Sequence, residues 1–318
     1  MRLTQVLSVA VLLSMFGFGE TGHAAPRDTR ESRRGADTGE ADRGPALSER
    51  ERAFHVLNRM AFGPRPGDVE RVMQIGWEAW AREQLDPTSI KNDRVDREIV
   101  KRYPSLGLTI DQIFEAYRPP YRPKESVEDQ RKRNELRQRV RRELRDAVLV
   151  RAATSNRQFE EVVVEFWRNH FNVDQNKDGV AYTAPNFETQ VIRRHAFGKF
   201  EHMLIASARH PAMLTYLDNI VSQKPLSERE QRLVERYEDR DYTPRSVAAL
   251  GRQRGLNENY ARELMELHTL GVDRKYKQRD VTELARIFTG WSAGNRESEG
   301  YGFRFRQEVH DDNNKRFL

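Results

Sequence analysis

The chain has 318 residues, 33% of them charged and 37% hydrophobic, with a formal net charge of +6. That length is enough to bury a substantial core, and a charge of +6 spread over it is a weak field that permits an anionic partner without requiring one. Cysteine is absent, which removes disulfide frameworks, thiolate metal sites, iron–sulfur clusters, c-type haem attachment and cysteine nucleophiles; any metal would have to rest on His, Asp, Glu, Asn or backbone ligands.

Residues 1–24 read as a secretory signal peptide. Arg2 supplies the positive start, Val6 to Phe18 is an apolar run broken only by Ser8, Ser14 and Gly17, and Gly22-His23-Ala24 offers the small residues a signal peptidase reads. Cleavage is expected after Ala24, because cutting after Ala25 would leave Pro26 first, which that peptidase disfavours. The apolar run is too short for a stable bilayer anchor, so the sequence predicts an exported protein, periplasmic or extracellular, with no transmembrane anchor after cleavage. Residues 25–46 are mostly Arg, Asp, Glu, Gly, Thr and Ser and have little to bury, which predicts a disordered linker. The folded region is then expected over residues 47–318, as an all-α, irregular multi-helix domain.

Ser48 followed by Glu51 is a capping box, and Phe54, Leu57 and Ala61 mark the expected buried stripe of the first helix. Gly63-Pro64 ends it. Pro66 and Asp68 start a second helix with Val69, Val72 and Met73, and Gly76 separates it from a third that carries Trp77, Trp80, Ala81 and Gln84 along one side. The two tryptophans at helical spacing fit core packing better than a sugar-stacking platform. After the rigid Pro119-Pro120…Pro123 break, one long helix is expected from Ser126 to Ser155, with Leu136, Val140, Leu144 and Val148 at intervals of four.

From Arg118 to Arg151 there are twelve Lys or Arg against six Asp or Glu. A nucleic-acid surface would interleave aromatic residues for base stacking, and none occurs between Val127 and Arg151. Acidic residues are interleaved instead, so this is read as a solvated helix face with no nucleic-acid partner. The next helix, Asn156 to Val173, has a wide apolar side of Phe159, Val162, Val163, Phe166, Trp167 and His170. His170 therefore sits among core positions, as a hydrogen-bonded structural histidine or as a ligand or base.

The loop after it, Asp174-Gln175-Asn176-Lys177-Asp178-Gly179, has the D-x-N-x-D-G opening of a calcium-binding loop, in which alternate oxygens of Asp174, Asn176 and Asp178 would point inward. The closing bidentate Glu of that motif is missing, since Pro185 occupies its place, and Glu188 would close only an irregular site. Calcium or another divalent metal is the one cofactor the sequence suggests. Two helices then follow over residues 187–209, split near Gly198, and residues 222–255 form a charged excursion with a helix between Leu226 and Glu238. No strand runs or hairpin signals are recognised anywhere.

Leu256 to Trp291 reads as two amphipathic helices. At about 100° per residue, Leu256, Tyr260, Leu264 and Leu267 form a core stripe, with Asn259, Glu263 and Glu266 along one shoulder. His268 falls on the other, about 160° from Glu266. Glu258, Arg262 and Glu266 are spaced as a surface ion ladder, Asn257 is a candidate N-cap and Gly271 a candidate C-cap. Asn259 and Glu263 lie next to the apolar seam, where a carboxylate needs a partner; hydrogen bonds to His170, Asp218, Asn219 or Arg286 are expected. No zinc-protease, nucleophile-elbow, phosphate-loop or Glu-x-x-His di-metal pattern occurs.

Several phrases together resemble the bacterial domain-of-unknown-function 1800 family: HVLNRMAFGPRPGDVERV from His55, FWRNHFNV from Phe166, HPAMLTYLDN from His210, NENYARELMELHTLGVD from Asn257 and ELARIFTGW from Glu283. The resemblance spans roughly residues 50–318 and implies an exported, mostly helical protein of bacterial envelopes, with no reaction attached. Arg168 stands where the family's phrase more often has histidine, and Arg274 and Lys275 where glycines are usual. His310-Asp311…Lys315 resembles a mid-domain motif, so the resemblance implies a further helical half beyond Leu318. Two function classes follow: an envelope interaction or scaffold protein with a protein partner, or an extracytoplasmic, hydrolase-like enzyme using Glu263, Glu266, Asn259, His170 and Asp218 in acid–base or metal-dependent work.

Overall fold

A computed structural model describes residues 46–119, 124–177, 179–238, 244, 246, 255–272, 274–295 and 300–318. The expected signal peptide and all of the expected linker but Ala46 lie outside the described residues, as do Asp178 and Asp273. The compact unit spans Leu47–Leu318 and is mainly helical.

Helix α1 (Glu49–Met60) begins with the expected box: Glu51 Oε2 accepts from Ser48 N at 2.8 Å and Ser48 Oγ accepts from Glu51 N at 3.3 Å. With α2 (Asp68–Ile75) and α3 (Trp77–Gln84) it encloses a small core of Ala53, Val56, Leu57, Ala61, Val69, Val72 and Trp80. Two sequence expectations shift here. Phe54 and Trp77 are exposed, and Ala53 and Val56 take the inward positions. Small residues at the contact let the helices approach closely, and Trp80 supplies the ring that fills this core.

Two buried glutamines tie this unit to the rest. Gln84 donates to Asn156 O at 3.0 Å and accepts from Phe159 N at 3.1 Å, while Gln158 accepts from Phe62 N at 3.4 Å and donates to Ser155 O at 2.8 Å. Buried amides that satisfy backbone groups across elements fix a single docking geometry.

Helices α4 (Asp93–Arg102) and α5 (Ile110–Tyr117) were not anticipated from the sequence. Helix α6 (Val127–Thr154) matches the long helix expected between Ser126 and Ser155, and Ser126 Oγ caps it by accepting from Asp129 N at 3.0 Å. Helix α7 (Gln158–His170) leads to α8 (Val180–Phe187), which is buried on nearly all sides and packs against α6 and α5. A helix apolar all round belongs in the middle of a domain. Pro185 lies inside α8, and a π-helical turn, Glu188–Arg193, follows directly.

Helices α9 (Phe200–Ala208), α10 (Pro211–Tyr216), α11 (Glu228–Glu238), α12 (Asn259–Glu263), a second π turn (Leu264–Thr269) and α13 (Gln278–Phe288) complete the helical part. The main core gathers Met203, Met213, Tyr260, Met265 and Ala285 from these segments, with Phe171 from the end of α7 and Ile192 from the first π turn. The expectation of no strands is corrected by an antiparallel ribbon, β1 (Trp291–Ala293) with β2 (Phe303–Phe305), paired Trp291↔Phe305 and Ala293↔Phe303. Three-residue strands are too short to show an alternating pattern.

Candidate functional site

The second π turn places the side chains that the sequence singled out. Thr269 Oγ1 donates to Leu264 O at 2.7 Å and Leu270 N to Met265 O at 2.8 Å, both reaching back five residues. Such turns interrupt the regular helix and recur at functional sites. Gly271, at φ +89°, closes the segment as the expected C-cap and donates to Met265 O at 3.0 Å.

The inward side of this segment is Tyr260, Ala261, Met265 and His268, whereas Leu267 is 59% exposed. This corrects the expected core stripe. The seam is set by Ala261, which shares the main core with Ala285 of α13, and a close approach through alanine outranks the larger leucine in fixing which face turns in. His268 is therefore interior, close to His170, and not on an outer shoulder. His170 Nε2 lies 3.1 Å from His268 O, and because a carbonyl only accepts, that nitrogen carries the proton. The two imidazole centroids are 6.1 Å apart. Burial, with His170 adding to it, pulls the His268 imidazole down to about 4, and its Nδ1 is buried without a hydrogen-bond partner.

Rings surround the pair. Phe171 lies 5.1 Å from His268, and Phe200 lies 6.1 Å from His170 and 5.9 Å from Trp167. Phe200 is 40% exposed, and Leu267, Leu270 and Val272 beyond it are exposed as well. Ring contacts link the exposed Phe200 to His170 and His170 to His268, and Leu267, the residue before His268, is exposed.

The carboxylates do not join this pair by hydrogen bonds. Glu266 meets Arg262 at 3.5 Å, and Glu258 meets the same guanidinium at 3.4 Å, forming the expected ladder. Glu263 is half-buried and forms no hydrogen bond with a described residue, in contrast to the expected bond with His170, Asp218, Asn219 or Arg286; partial burial and the neighbouring Glu266 raise its carboxyl above the usual range. Asn259 donates instead to Leu217 O at 3.3 Å, and its own N–H donates to Asn257 Oδ1 at 2.9 Å, although the N-cap position falls on Glu258 and not on the expected Asn257. Asp218, at φ +59°, is held by Lys177 Nζ at 2.7 Å.

In the calcium-like loop, Asp174 Oδ1 accepts from Asn176 N and Nδ2, each at 2.8 Å, and Asn176 Oδ1 accepts from the Arg141 guanidinium. Two of the three expected ligands are thus engaged with protein donors, and Asp178 lies outside the described residues. Among the described residues no group of three or more His, Asp or Glu is placed to hold a metal ion.

Two polar constellations escaped the sequence reading. One is a buried ion chain. Arg168 Nε and Nη2 donate to Glu188 at 3.0 and 2.8 Å, Arg193 joins Glu188 at 3.1 Å and Glu161 at 2.5 Å, and Arg151 reaches Asp96 at 2.7 Å and Glu161 at 3.8 Å. Burial pushes the Glu188 carboxyl up, but Arg168 and Arg193 outweigh it and hold the group below the usual carboxylate range. Its sequence signal was a glutamate set against apolar neighbours on each segment, Glu161 before Val162-Val163-Val164 and Glu188 after Phe187. The other constellation surrounds Thr289. His310 Nδ1 is 2.7 Å from Thr289 O, Asp311 N donates to Thr289 Oγ1 at 2.9 Å, and Arg286 Nε donates to Asp311 at 2.7 Å. The Thr289 hydroxyl also donates to Arg286 O at 2.7 Å, so it is occupied as a structural clasp and not poised as a nucleophile.

A family model described as "Protein of unknown function (DUF1800)" matches residues 55–318. No curated protein and no solved structure matches the chain.

Proposed function

Since the chain belongs to the DUF1800 family, whose description carries no activity, we propose from its geometry that it is an exported helical interaction protein that docks a polypeptide of the cell envelope. The observation that carries this reading is the exposure of large apolar side chains at the histidine pair: Phe200, in ring contact with His170, and Leu267 and Val272, in and after the π turn that carries His268, stand 40%, 59% and 59% exposed. Large apolar side chains gathered on one surface mark interaction sites in folded proteins, and aromatic rings are favoured at the centre of such contacts. Export rests on the apolar run Val6 to Phe18 and the small residues up to Ala24. Among the described residues no helix is long and apolar enough to cross a membrane.

The hydrolase-like alternative draws less support. It needs a carboxylate, His170 and an amide to converge; Asn259, Asp218, Glu266 and His170 each bond elsewhere, and Glu263, which bonds no described residue, is not hydrogen-bonded to His170.

A photo-reactive amino acid placed at Phe200, Leu267 or Val272 of the full chain in living cells tests the docking surface. A discrete cross-linked species is expected at all three and not at Arg232 on α11. Equal labelling everywhere, or none, overturns the reading. Export is checked separately by the amino terminus of the recovered protein, which is expected at Ala25; a retained Met1 in the cytoplasmic fraction removes that part.

A further inference from the structure

The β1–β2 ribbon has two edges in different states. In an antiparallel pair the residues alternate between those that exchange hydrogen bonds and those whose backbone groups point outward. Gly294 N donates to Gly302 O and Arg306 N to Gly290 O, each at 2.8 Å. With the register Ser292↔Arg304, this turns the polar groups of Trp291 and Ala293 to one edge and those of Phe303 and Phe305 to the other. The β1 edge is occupied, since Asn219 Nδ2 donates to Trp291 O at 2.9 Å and to Phe288 O at 3.1 Å. At the β2 edge, no described residue bonds the N–H or C=O of Phe303 or Phe305, and all three residues of β2 are exposed.

The face of the ribbon that carries Trp291 and Phe303 also holds a cation. Trp291 and Phe303 meet edge to face at 5.3 Å, and the Arg209 guanidinium lies 5.7 Å from the first ring and 5.8 Å from the second. Arg209 is exposed, and no acidic group among the described residues pairs with it. A guanidinium stacked on rings keeps its N–H groups for a carboxylate. An open strand edge offers main-chain hydrogen bonds to an extended segment, while alternate side chains set the choice of partner.

We propose that β2 receives an extended acidic polypeptide segment as a third strand, which bonds the backbone of Phe303 and Phe305, sets a carboxylate against Arg209 and lays apolar side chains over the two phenylalanine rings. This surface shares no residue with the one around His170 and Phe200, and the inference does not depend on that reading. The cation argues for an acidic segment, and the exposed rings argue for apolar residues at alternate positions.

The probe is an end-blocked heptapeptide, Thr-Leu-Thr-Asp-Thr-Leu-Thr, titrated into the full chain, with a version carrying lysine in place of aspartate as its counterpart. Binding of the aspartate peptide is expected, with roughly tenfold weaker binding for the lysine peptide and for Arg209→Ala, the scale of one charge-assisted hydrogen bond. Arg232→Ala removes the same charge from α11 and is expected to leave binding unchanged. Amide exchange, read by nuclear magnetic resonance, should slow at Phe303 and Phe305 when the peptide is bound. Absence of binding, equal binding by Arg209→Ala, or binding without slowed exchange at those two amides each overturns the proposal.

Discussion

Arg168 and Glu188 meet fork to fork, with guanidinium Nε and Nη2 donating to the two carboxylate oxygens at 3.0 and 2.8 Å. Glu188 also serves Arg193, the last residue of the same π turn. The carboxylate therefore holds two cations of the interior. Its replacement by alanine leaves both guanidiniums short of a partner, and breaking a buried pair from one side costs about 3–5 kcal/mol. Glu188→Ala should lower the midpoint of urea unfolding sharply. Arg194→Ala, next to Arg193 but exposed, should shift it by less than about 0.5 kcal/mol.

Acid should loosen the fold through two histidines. His210 caps α10 by accepting from Ala212 N at 3.1 Å through Nδ1, and its Nε2 lies 3.1 Å from Asn186 Oδ1. Burial pulls its imidazole down to about 3, and that of His268, with His170 contributing, to about 4. In the unfolded chain both bind a proton below about pH 6.5. The unfolded state then holds more protons than the folded one, so stability falls as pH drops below about 6.5 and levels off below about 3–4. His210→Gln should remove part of this slope in a series of unfolding curves between pH 7 and 4. An unchanged slope would show that the His210 ring does not titrate with unfolding.

Gly290 should not tolerate a side chain. Its φ is +79°, and a Cβ there would stand 2.5 Å from Arg306 O, the backbone that closes the ribbon. Both the conformation and the space require glycine. Gly290→Ala is expected to destabilise by more than about 1 kcal/mol, and amide exchange should rise at Arg306, which donates to Gly290 O. Gly67→Ala also has a positive φ but open space around its Cβ, so its cost should be the smaller of the two.

Asn219 should matter more than its size suggests. Both its hydrogens serve carbonyls, Phe288 O and Trp291 O, across the junction of α13 and β1. Asn219→Ala leaves two acceptors without donors, at about 1–3 kcal/mol for each that stays dry. The drop in melting temperature should exceed that of Asn259→Ala, which removes a single bond to Leu217 O.

Much of the helical frame is legible in the residues themselves. The Ser48–Glu51 box, the Ser126 cap with its stripe of Leu136, Val140 and Leu144, and the Glu258–Arg262–Glu266 ladder are local patterns, and the structure contains each one. The candidate site is legible only in part. Asn259, Glu263 and Glu266 occupy one segment as expected, yet none is hydrogen-bonded to His170. The inward position of His268 was missed because the seam follows Ala261 and Met265, which contribute less to a hydrophobic stripe than Leu267 does.

By itself, then, the sequence determined the all-α class, the family and the boundaries of several helices, among them α1, α2 and α6, because caps, breakers and hydrophobic period act within a few residues along the chain. Tertiary structure alone decided that Glu161 and Glu188 share Arg193, that His170 meets His268, and that one ribbon edge is filled by Asn219 while the other has no bond from a described residue. Those relationships join residues far apart in the chain, and their physical basis is the geometry of packed helices, which fixes which polar groups are removed from water together and so must satisfy one another.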